Sequence, residues 1–272
     1  MLKDSLGDRM KQYENVERRY LMRRQPLIIR LDGVHFHSYT KGFPRPFYVP
    51  FRKAMERTML DLCKNIMGCK LGYTQSDEIT LLLTDDDNLN TDAWFGKNIQ
   101  KIVSVAASMA TYFFNKHVRE QLDVIWEEDD INPLRYAYEN KIACFDARAF
   151  LLPKEEVLNV FEWRQQDCTR NAIEMTGQSF FSHKELLGKS CNDIQEMLFQ
   201  QRGINFNNYP VWFKRGVCAR KVDTPVTTSW DDVVIRPKWT LDYNIPVFHK
   251  EPAYIEGWLN NYGVLEQEKE TD

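Results

Sequence analysis

The sequence predicts an α+β fold: an antiparallel sheet of βαββαβ order, packed with helices. Three observations point to it. A short buried strand comes first. A helical pattern then leads into a hairpin with acids at its tip. A second, longer helix follows, and one more strand comes after it. That order is the ferredoxin-like arrangement found in polymerase palms.

Each element has its own signal. Residues 4–24 are polar and patterned as a helix, which Pro26 stops. Leu27-Ile-Ile-Arg-Leu31 then reads as a mostly buried strand ending at Asp32-Gly33. After a loop rich in Gly, Pro and aromatics, Phe51, Met55, Met59, Leu62 and Ile66 recur at helical spacing, and Gly68 closes that helix. Leu71-Gly-Tyr73 and Ile79-Thr-Leu-Leu-Leu83 form the hairpin around Thr74-Gln-Ser-Asp-Glu78. Residues 93–117 are expected to be one helix, with Lys97, Lys101, Ser104 and Ser108 along its polar seam. An acidic loop precedes the last strand, at 143–151. Helices resume at 154–176. Ser182 with Glu185 signs a capping box, and Ser190 caps a helix that ends at Gly203. Past Arg220 the chain reads as Pro-rich and irregular, with Trp230, Trp239 and Trp258 spaced along it. The expected division is a palm-like catalytic body over 1–220 and an accessory extension over 221–272. Within the body, 1–135 carries the carboxylates, while 136–220 completes the sheet and adds substrate-facing helices.

Composition narrows the class. With 43% apolar and 28% charged residues in a 272-residue chain, a folded core is affordable and disorder is not expected. No apolar run approaches the ~18 residues of a membrane span, so no membrane partner is expected, and the first residues are too polar for a secretory signal. Six cysteines with no Cys-x-x-Cys pair read as thiols of a reducing cytoplasm. Net charge is -3, yet arginines 18, 19, 23, 24 and 30 sit in a stretch without acids. Lys214, Arg215, Arg220 and Lys221 form a second basic cluster, and acids gather at 85–87, 127–130 and from Glu266. Such segregation fits either a phosphate-attracting face or ordinary solvated charge.

The chemistry-bearing residues lie where strands end. Asp32 closes the first strand, and Gly33 lets a ligand approach the backbone. The amides of Gly33, Val34, His35, Phe36 and His37 suit an anion nest. At the hairpin tip, Asp77 and Glu78 repel each other unless water or a cation separates them. Brought beside Asp32, they would suit two Mg2+ ions ~3.5–4 Å apart, the arrangement for in-line phosphoryl transfer. Taken singly, each acid reads rather as an ordinary exposed turn residue, and only the two elements together point to a site. Lys97 and Lys101, one helical turn apart, would share the charge of a triphosphate. There is no phosphate-binding Gly-x-x-x-x-Gly-Lys-Ser/Thr loop, no Gly-x-Ser-x-Gly elbow and no His-Glu-x-x-His helix. His35 and His37 have no partners at zinc-ligand spacing.

Arg30-Leu-Asp-Gly-x-x-Phe-His37 and Gly72-Tyr-Thr-Gln-Ser-Asp-Glu78 resemble the two motifs of the tRNA-His guanylyltransferase superfamily. The resemblance continues through Phe145-Asp-Ala-Arg148, Trp163-Arg-Gln-Gln-Asp-Cys168, Gly203-Ile-Asn-Phe-Asn-Asn-Tyr-Pro210 and Phe213-Lys-Arg-Gly216. It implies a palm with Asp32, Asp77 and the Gly33 carbonyl as metal ligands and Glu78 as a third acid. The loop 32–37 and Ser76 would hold the incoming nucleotide. It also implies Mg2+, GTP and other nucleoside triphosphates as substrates, ATP for 5′ activation, tRNA as partner and a homotetramer. Arg164, Arg170, Asn171, Asn207 and Asn208 fall on positions that would face tRNA. Where enzymes adding the extra guanosine of tRNA-His carry His-Ile-Asn-Asn, this chain has Thr169-Arg-Asn-Ala172. The Asn192-Asp-Ile-Gln-Glu196 stretch differs too, with Ile194 in place of a lysine. Both departures resemble the bacterial and archaeal branch associated with templated 3′-5′ repair of tRNA 5′ ends. The expected function is therefore that repair, with tRNA-His guanosine addition, a nucleotidyl cyclase or a non-catalytic tRNA binder as alternatives.

Overall fold

Strand β1 (Leu27–Gly33) lies inside the sheet, and its alternation sets out the whole architecture. The computed structural model describes residues 5–124, 132–227 and 233–259. The acidic loop at 127–130, Trp230 and the tail from Glu266 lie outside them. With β2 (Cys69–Gln75), β3 (Glu78–Leu83), β4 (Phe145–Leu151), β5 (Val217–Thr227) and β6 (Val233–Asp242), the sheet runs β4-β1-β3-β2-β5-β6. Every pairing is antiparallel. The first four strands give the order 4-1-3-2 expected of a βαββαβ unit.

Odd-numbered residues of β1 and β3 form one face: Leu27, Ile29, Leu31, Ile79, Leu81 and Leu83 are all buried. Two helices cover this face. After α1 (Leu6–Val16) and the single turn α2 (Phe36–Tyr39), α3 (Val49–Asn65) contributes Met55, Met59 and Leu62. Helix α4 (Ile99–Val124) contributes Ile102, Ala106, Ala110 and Phe114, and α5 (Pro133–Asn140) closes the layer with Leu134. The other face buries Ile28, Leu71, Tyr73 and Leu82 under Val157 and Phe161 of α6 (Val157–Phe180), with Ile245 and Phe248 behind them. A third cluster joins the far end of α6 to α8 (Cys191–Arg202) and α9 (Val211–Arg215) through Ile173, Leu198, Phe206 and Phe213. The capping boxes hold at both short-helix starts: Ser182 with Glu185 opens α7 (His183–Leu186), and Ser190 with Asp193 opens α8. Helix α10 (Ala253–Glu256) ends the described chain, with Ile255 buried.

Three expectations change. The first helix stops at Val16 rather than reaching residue 24, because the chain beyond it pairs with the approach to α4: Tyr20 bridges Asn98, and Leu21 donates to the Lys97 carbonyl at 2.9 Å. The long helix starts at Ile99, not at 93. Phe95, Gly96 and Lys97 all take positive φ (49°, 56° and 61°), which breaks the helical path and turns Lys97 inward. Finally, the chain past Arg220 is not irregular, since β5 runs straight through it and pairs with β6 from Cys218↔Asp242 to Thr227↔Val233. Only residues 217–219 of β5 pair with β2, so the rest is a two-stranded ribbon. Its register includes Pro225↔Ile235 and Asp223↔Pro237, and proline is tolerated in strands that have an open edge.

Candidate active site at the hairpin end of the sheet

Register places three acids in one row. Asp32 lies opposite Glu78 on β3 and opposite Asp146 on β4. Residues directly opposite in a sheet point to the same face. The row behind it is Arg148, Arg30 and Thr80, and behind that come Phe150, Ile28 and Leu82. This face therefore grades from apolar to cationic to anionic toward the hairpin tip. Asp77 sits in the turn itself, and the Gly33 amide donates to its carbonyl at 3.2 Å, fastening the tip to the end of β1. Ser76, before it, holds φ at 50°, a left-handed conformation uncommon outside glycine. Gly33 has a packing reason: a Cβ there would lie 2.3 Å from the Phe36 ring.

The electrostatics follow from this crowding. Burial raises the pKa of Asp32, the neighbouring Asp146 raises it further, and Arg148, Arg30 and Arg164 oppose both. Asp77 is raised by burial and then by Asp32, while hydrogen bonds from its own backbone and Ser76, and the charge of His37, pull the other way. Burial also raises Glu78, against an ion pair with Arg164 at 2.9 Å. Arg164 in turn stacks on Trp163, its guanidinium carbon 3.5 Å from the ring centroid, and Arg30 approaches the same ring at 5.4 Å. Asp32 and Asp77 are thus two crowded carboxylates that ionise together more readily when a cation joins them. Among the described residues no group of three or more His, Cys, Asp or Glu side chains is placed to hold a metal ion.

The remaining expected site residues divide. His35 and His37 are exposed at the mouth of the site, and His35 adopts φ of 57°. The five-amide nest shrinks: the Gly33 amide serves Asp77, and Val34 donates to the Cys144 carbonyl at 2.9 Å. That leaves the amides of residues 35–37, at the start of α2, where no side chain caps the helix. The Phe36 side chain is not at the surface. It is 2% exposed and packs on Tyr39, Phe114 and Phe145 with ring centroids 5.2, 5.3 and 5.0 Å away.

The lysine seam is not brought to Asp32, Asp77 or Glu78. Lys97 is buried, pairs with Asp85 at 2.9 Å and donates to the Met22 and Gln25 carbonyls. Asp85 lies past the end of β3 remote from Glu78, about 20 Å away at the rise of a strand. Lys101 is exposed and follows Lys97 at that same end.

Asp167 organises the α6 residues, binding Arg164 at 3.4 Å, Asn171 at 3.3 Å and Arg170 as well. Arg170 and Asn207 line a hollow of about 450 Å3 with Thr169, Lys214 and His249 at its rim and Ile173, Phe206 and Val247 among its apolar walls. Asn208 is exposed next to it. A smaller slot, about 120 Å3, opens beside Ser76 and is lined by Phe47, Arg52, Glu56, Asn171 and Trp212. Asp146 and this slot were not assigned from sequence. The Asp146 signal is the β1–β4 register, which needs both strand ends to be known; the slot joins segments that are distant in the chain.

Comparison with known proteins gives the family. The sequence profile described as tRNAHis guanylyltransferase matches residues 7–153. A bacterial tRNA(His) guanylyltransferase (Thg1)-like protein, solved in complex with ATP, is 42% identical with a TM-score of 0.79, covering 94% of this chain and 100% of that one. A structure of such a protein in complex with GTP gives 40% identity and a TM-score of 0.77 over 94% and 100% of the two chains. The tRNA(His) guanylyltransferase of Debaryomyces hansenii is 28% identical, over 82% of this chain and 83% of the relative. Among the described residues no helix is long and apolar enough to cross a membrane. With a matched profile over more than half its length and acids gathered at the end of a palm-like sheet, the chain belongs to the tRNAHis guanylyltransferase family and is a nucleotidyltransferase.

Proposed function

We propose that this chain adds nucleotides in the 3′-5′ direction to the 5′ end of tRNA, copying the opposite strand, as a repair activity. The observation that carries the catalytic part is the convergence of Asp32, Asp77 and Glu78 at one end of the sheet. Asp32, Asp77 and the Gly33 carbonyl would hold Mg2+. When bound, the metal lowers the pKa of an attacking hydroxyl and neutralises charge on a leaving phosphate. Arg164 holds the Glu78 carboxylate in place at 2.9 Å and opposes the rise in its pKa that burial causes. The amides of residues 35–37 and Ser76 would hold the triphosphate, and the slot beside Ser76 the base. GTP and other nucleoside triphosphates are the proposed substrates, with ATP activating the 5′ end; the similar bacterial proteins bind ATP and GTP.

Two features favour repair over guanosine addition to tRNA-His. The likeness to the bacterial proteins is stronger than to the yeast enzyme. Thr169 also stands where guanosine-adding enzymes carry histidine, and its hydroxyl is spent on the Gln165 and Lys214 carbonyls at 3.1 and 2.8 Å. Guanosine addition is the second reading. Arg170 and Asn207 line this hollow, Asn208 follows them in the chain and Asn171 lines the slot beside Ser76; all four are proposed to meet tRNA.

The test offers 5′-truncated tRNAs and intact tRNA-His transcripts with each nucleotide and reads what is added. Repair predicts addition that follows the opposing base. Guanosine on tRNA-His alone, whatever stands opposite, would replace this reading by the second. Asp77→Ala should keep tRNA binding and lose nucleotide addition by about a thousandfold or more. Full turnover by that variant would remove Asp77 from the mechanism.

A further inference from the structure

Asp32 has an acid on each side of it, and only one of the two is engaged. Glu78 and Asp146 lie directly opposite it on the neighbouring strands, so all three side chains rise from one face, with Cβ atoms about 4.5–5.5 Å from that of Asp32. Glu78 is 8% exposed, and both its oxygens have donors: Arg164 Nη1 at 2.9 Å and, at a longer 3.4 Å, the Thr80 hydroxyl. Asp146 is exposed, and its carboxylate has no hydrogen bond or ion pair among the described residues. After burial, it is nonetheless the strongest influence on the Asp32 carboxyl.

An exposed side chain need not be loosely placed. Strand β4 is at the edge of the sheet, yet its start is fastened: Val34 donates to the Cys144 carbonyl at 2.9 Å, and the Phe145 amide donates to the Thr111 hydroxyl at 3.1 Å. The Phe145 ring packs on Phe36 and Phe114 with centroids 5.0 and 5.5 Å away. The backbone therefore carries Asp146 to one place beside Asp32. Charge on an edge strand discourages pairing with other chains, but Arg148, exposed two residues further on, already meets that need. A carboxylate set opposite another carboxylate costs stability. Arg148 and Arg30 offset part of that cost from the row behind, on the side away from the hairpin tip.

Mg2+ keeps several waters when it binds through one or two carboxylates, and the groups that orient such ligands are as much part of a metal site as the ligands themselves. Among the described residues no third acid is placed to join Asp32 and Asp77 on an ion directly. The spacing of neighbouring strands, about 4.8 Å, leaves room for a single water between an ion on Asp32 and the carboxylate across from it. Resting on the reading of Asp32 and Asp77 as metal ligands, we propose that Asp146 is a further residue of this site: its carboxylate accepts a hydrogen bond from a water on the ion that Asp32 holds. Glu78, on the other flank, is engaged by Arg164 instead.

The experiment titrates Mn2+, read by its electron paramagnetic resonance, into the nucleotide-free full chain and into its Asp146→Ala and Asp32→Ala variants. Asp146→Ala should weaken Mn2+ binding by roughly ten- to a hundredfold, the effect of removing a group that orients a metal's ligands. The deficit should persist at an ionic strength of about 1 M, where the Debye length is about 3 Å. A deficit that vanishes there would make Asp146 no more than a nearby charge and overturn the assignment. Unchanged Mn2+ binding in Asp146→Ala beside a loss in Asp32→Ala would overturn it too, and leave the metal reading of Asp32 intact. No change in either variant would remove both. In chelator, Asp146→Ala should melt no lower than the parent, since it loses only a like-charge neighbour; a lower melting temperature would give Asp146 a structural role instead. None of these readings needs RNA. A chain whose Mn2+ site depends on Asp146 yet extends no tRNA would sink the proposed function and spare this inference.

Discussion

The two faces of β1 come from alternate residues of one seven-residue strand, yet one is dry and the other carries charge of both signs. Leu27, Ile29 and Leu31 face α3 and α4 and are at most 2% exposed. Ile28, Arg30 and Asp32 step from apolar to cation to anion toward the hairpin end. The dry face is what allows the other to be unfavourable. Burying large aliphatic side chains contributes roughly 1.5–3 kcal/mol each, which offsets the cost of crowding carboxylates beside the same strand. Stability and chemistry are thus separated by a half-turn of the backbone rather than by distance along the chain.

The largest effect expected from breaking this division is on the charged face. Arg164→Met leaves Glu78 buried and unpaired, and should destabilise the protein at neutral pH by about 3–5 kcal/mol. Glu78 already has a raised pKa, and losing Arg164 pushes it higher. The deficit should therefore shrink as pH falls below the carboxylate range, where Glu78 is neutral folded and unfolded alike. Denaturant unfolding at neutral and acid pH measures both. A deficit of the same size at every pH would mean that Arg164 acts by packing on Trp163 instead. On the dry face, Leu81→Ala should cost about 2–5 kcal/mol through the cavity it opens. At temperatures where it stays folded, its Kd for nucleotide should be unchanged. A nucleotide defect in that variant would show that the faces are coupled.

How much of this was readable in the sequence follows the same line. Short apolar runs bounded by turn residues announced β1, β2 and β3, and the acids at their ends could be joined because a tight hairpin leaves only one place for its tip. Residues whose role depends on a neighbour far along the chain were harder. Lys97 looked like the start of a helical seam because nothing local shows that Asp85 draws it inward. Phe36 stood in a motif that reads as ligand-facing, while its ring serves the core. The ribbon past Arg220 was hidden by Pro225 and Pro237, which signal turns unless the strands are known to have open edges. Asp146 stood in a quoted motif without a role until register set it opposite Asp32.

The smallest effect has an unusual sign. Asp32 and Asp77 both have pKa values raised above the ordinary 3.8, chiefly by burial and then by a neighbouring carboxylate. The folded chain therefore holds protons there that the unfolded chain has released. Such groups cost nothing at pH below the ordinary value, where both states are protonated, and the cost grows as pH rises through the raised values. Asp77→Asn removes one of the two charges. Without divalent ions at pH 7, it should be more stable than the parent by roughly 0.5–2 kcal/mol, the usual yield of relieving unfavourable charge. The gain should fade on acidification toward pH 3–4. Magnesium should reverse the order, because an ion that binds only the folded parent stabilises it in proportion to the logarithm of its concentration over Kd. Melting curves with chelator and with Mg2+, at neutral and acid pH, measure all of this. An Asn variant less stable than the parent in chelator, or stabilised equally by Mg2+, would show that the two carboxylates do not share an ion.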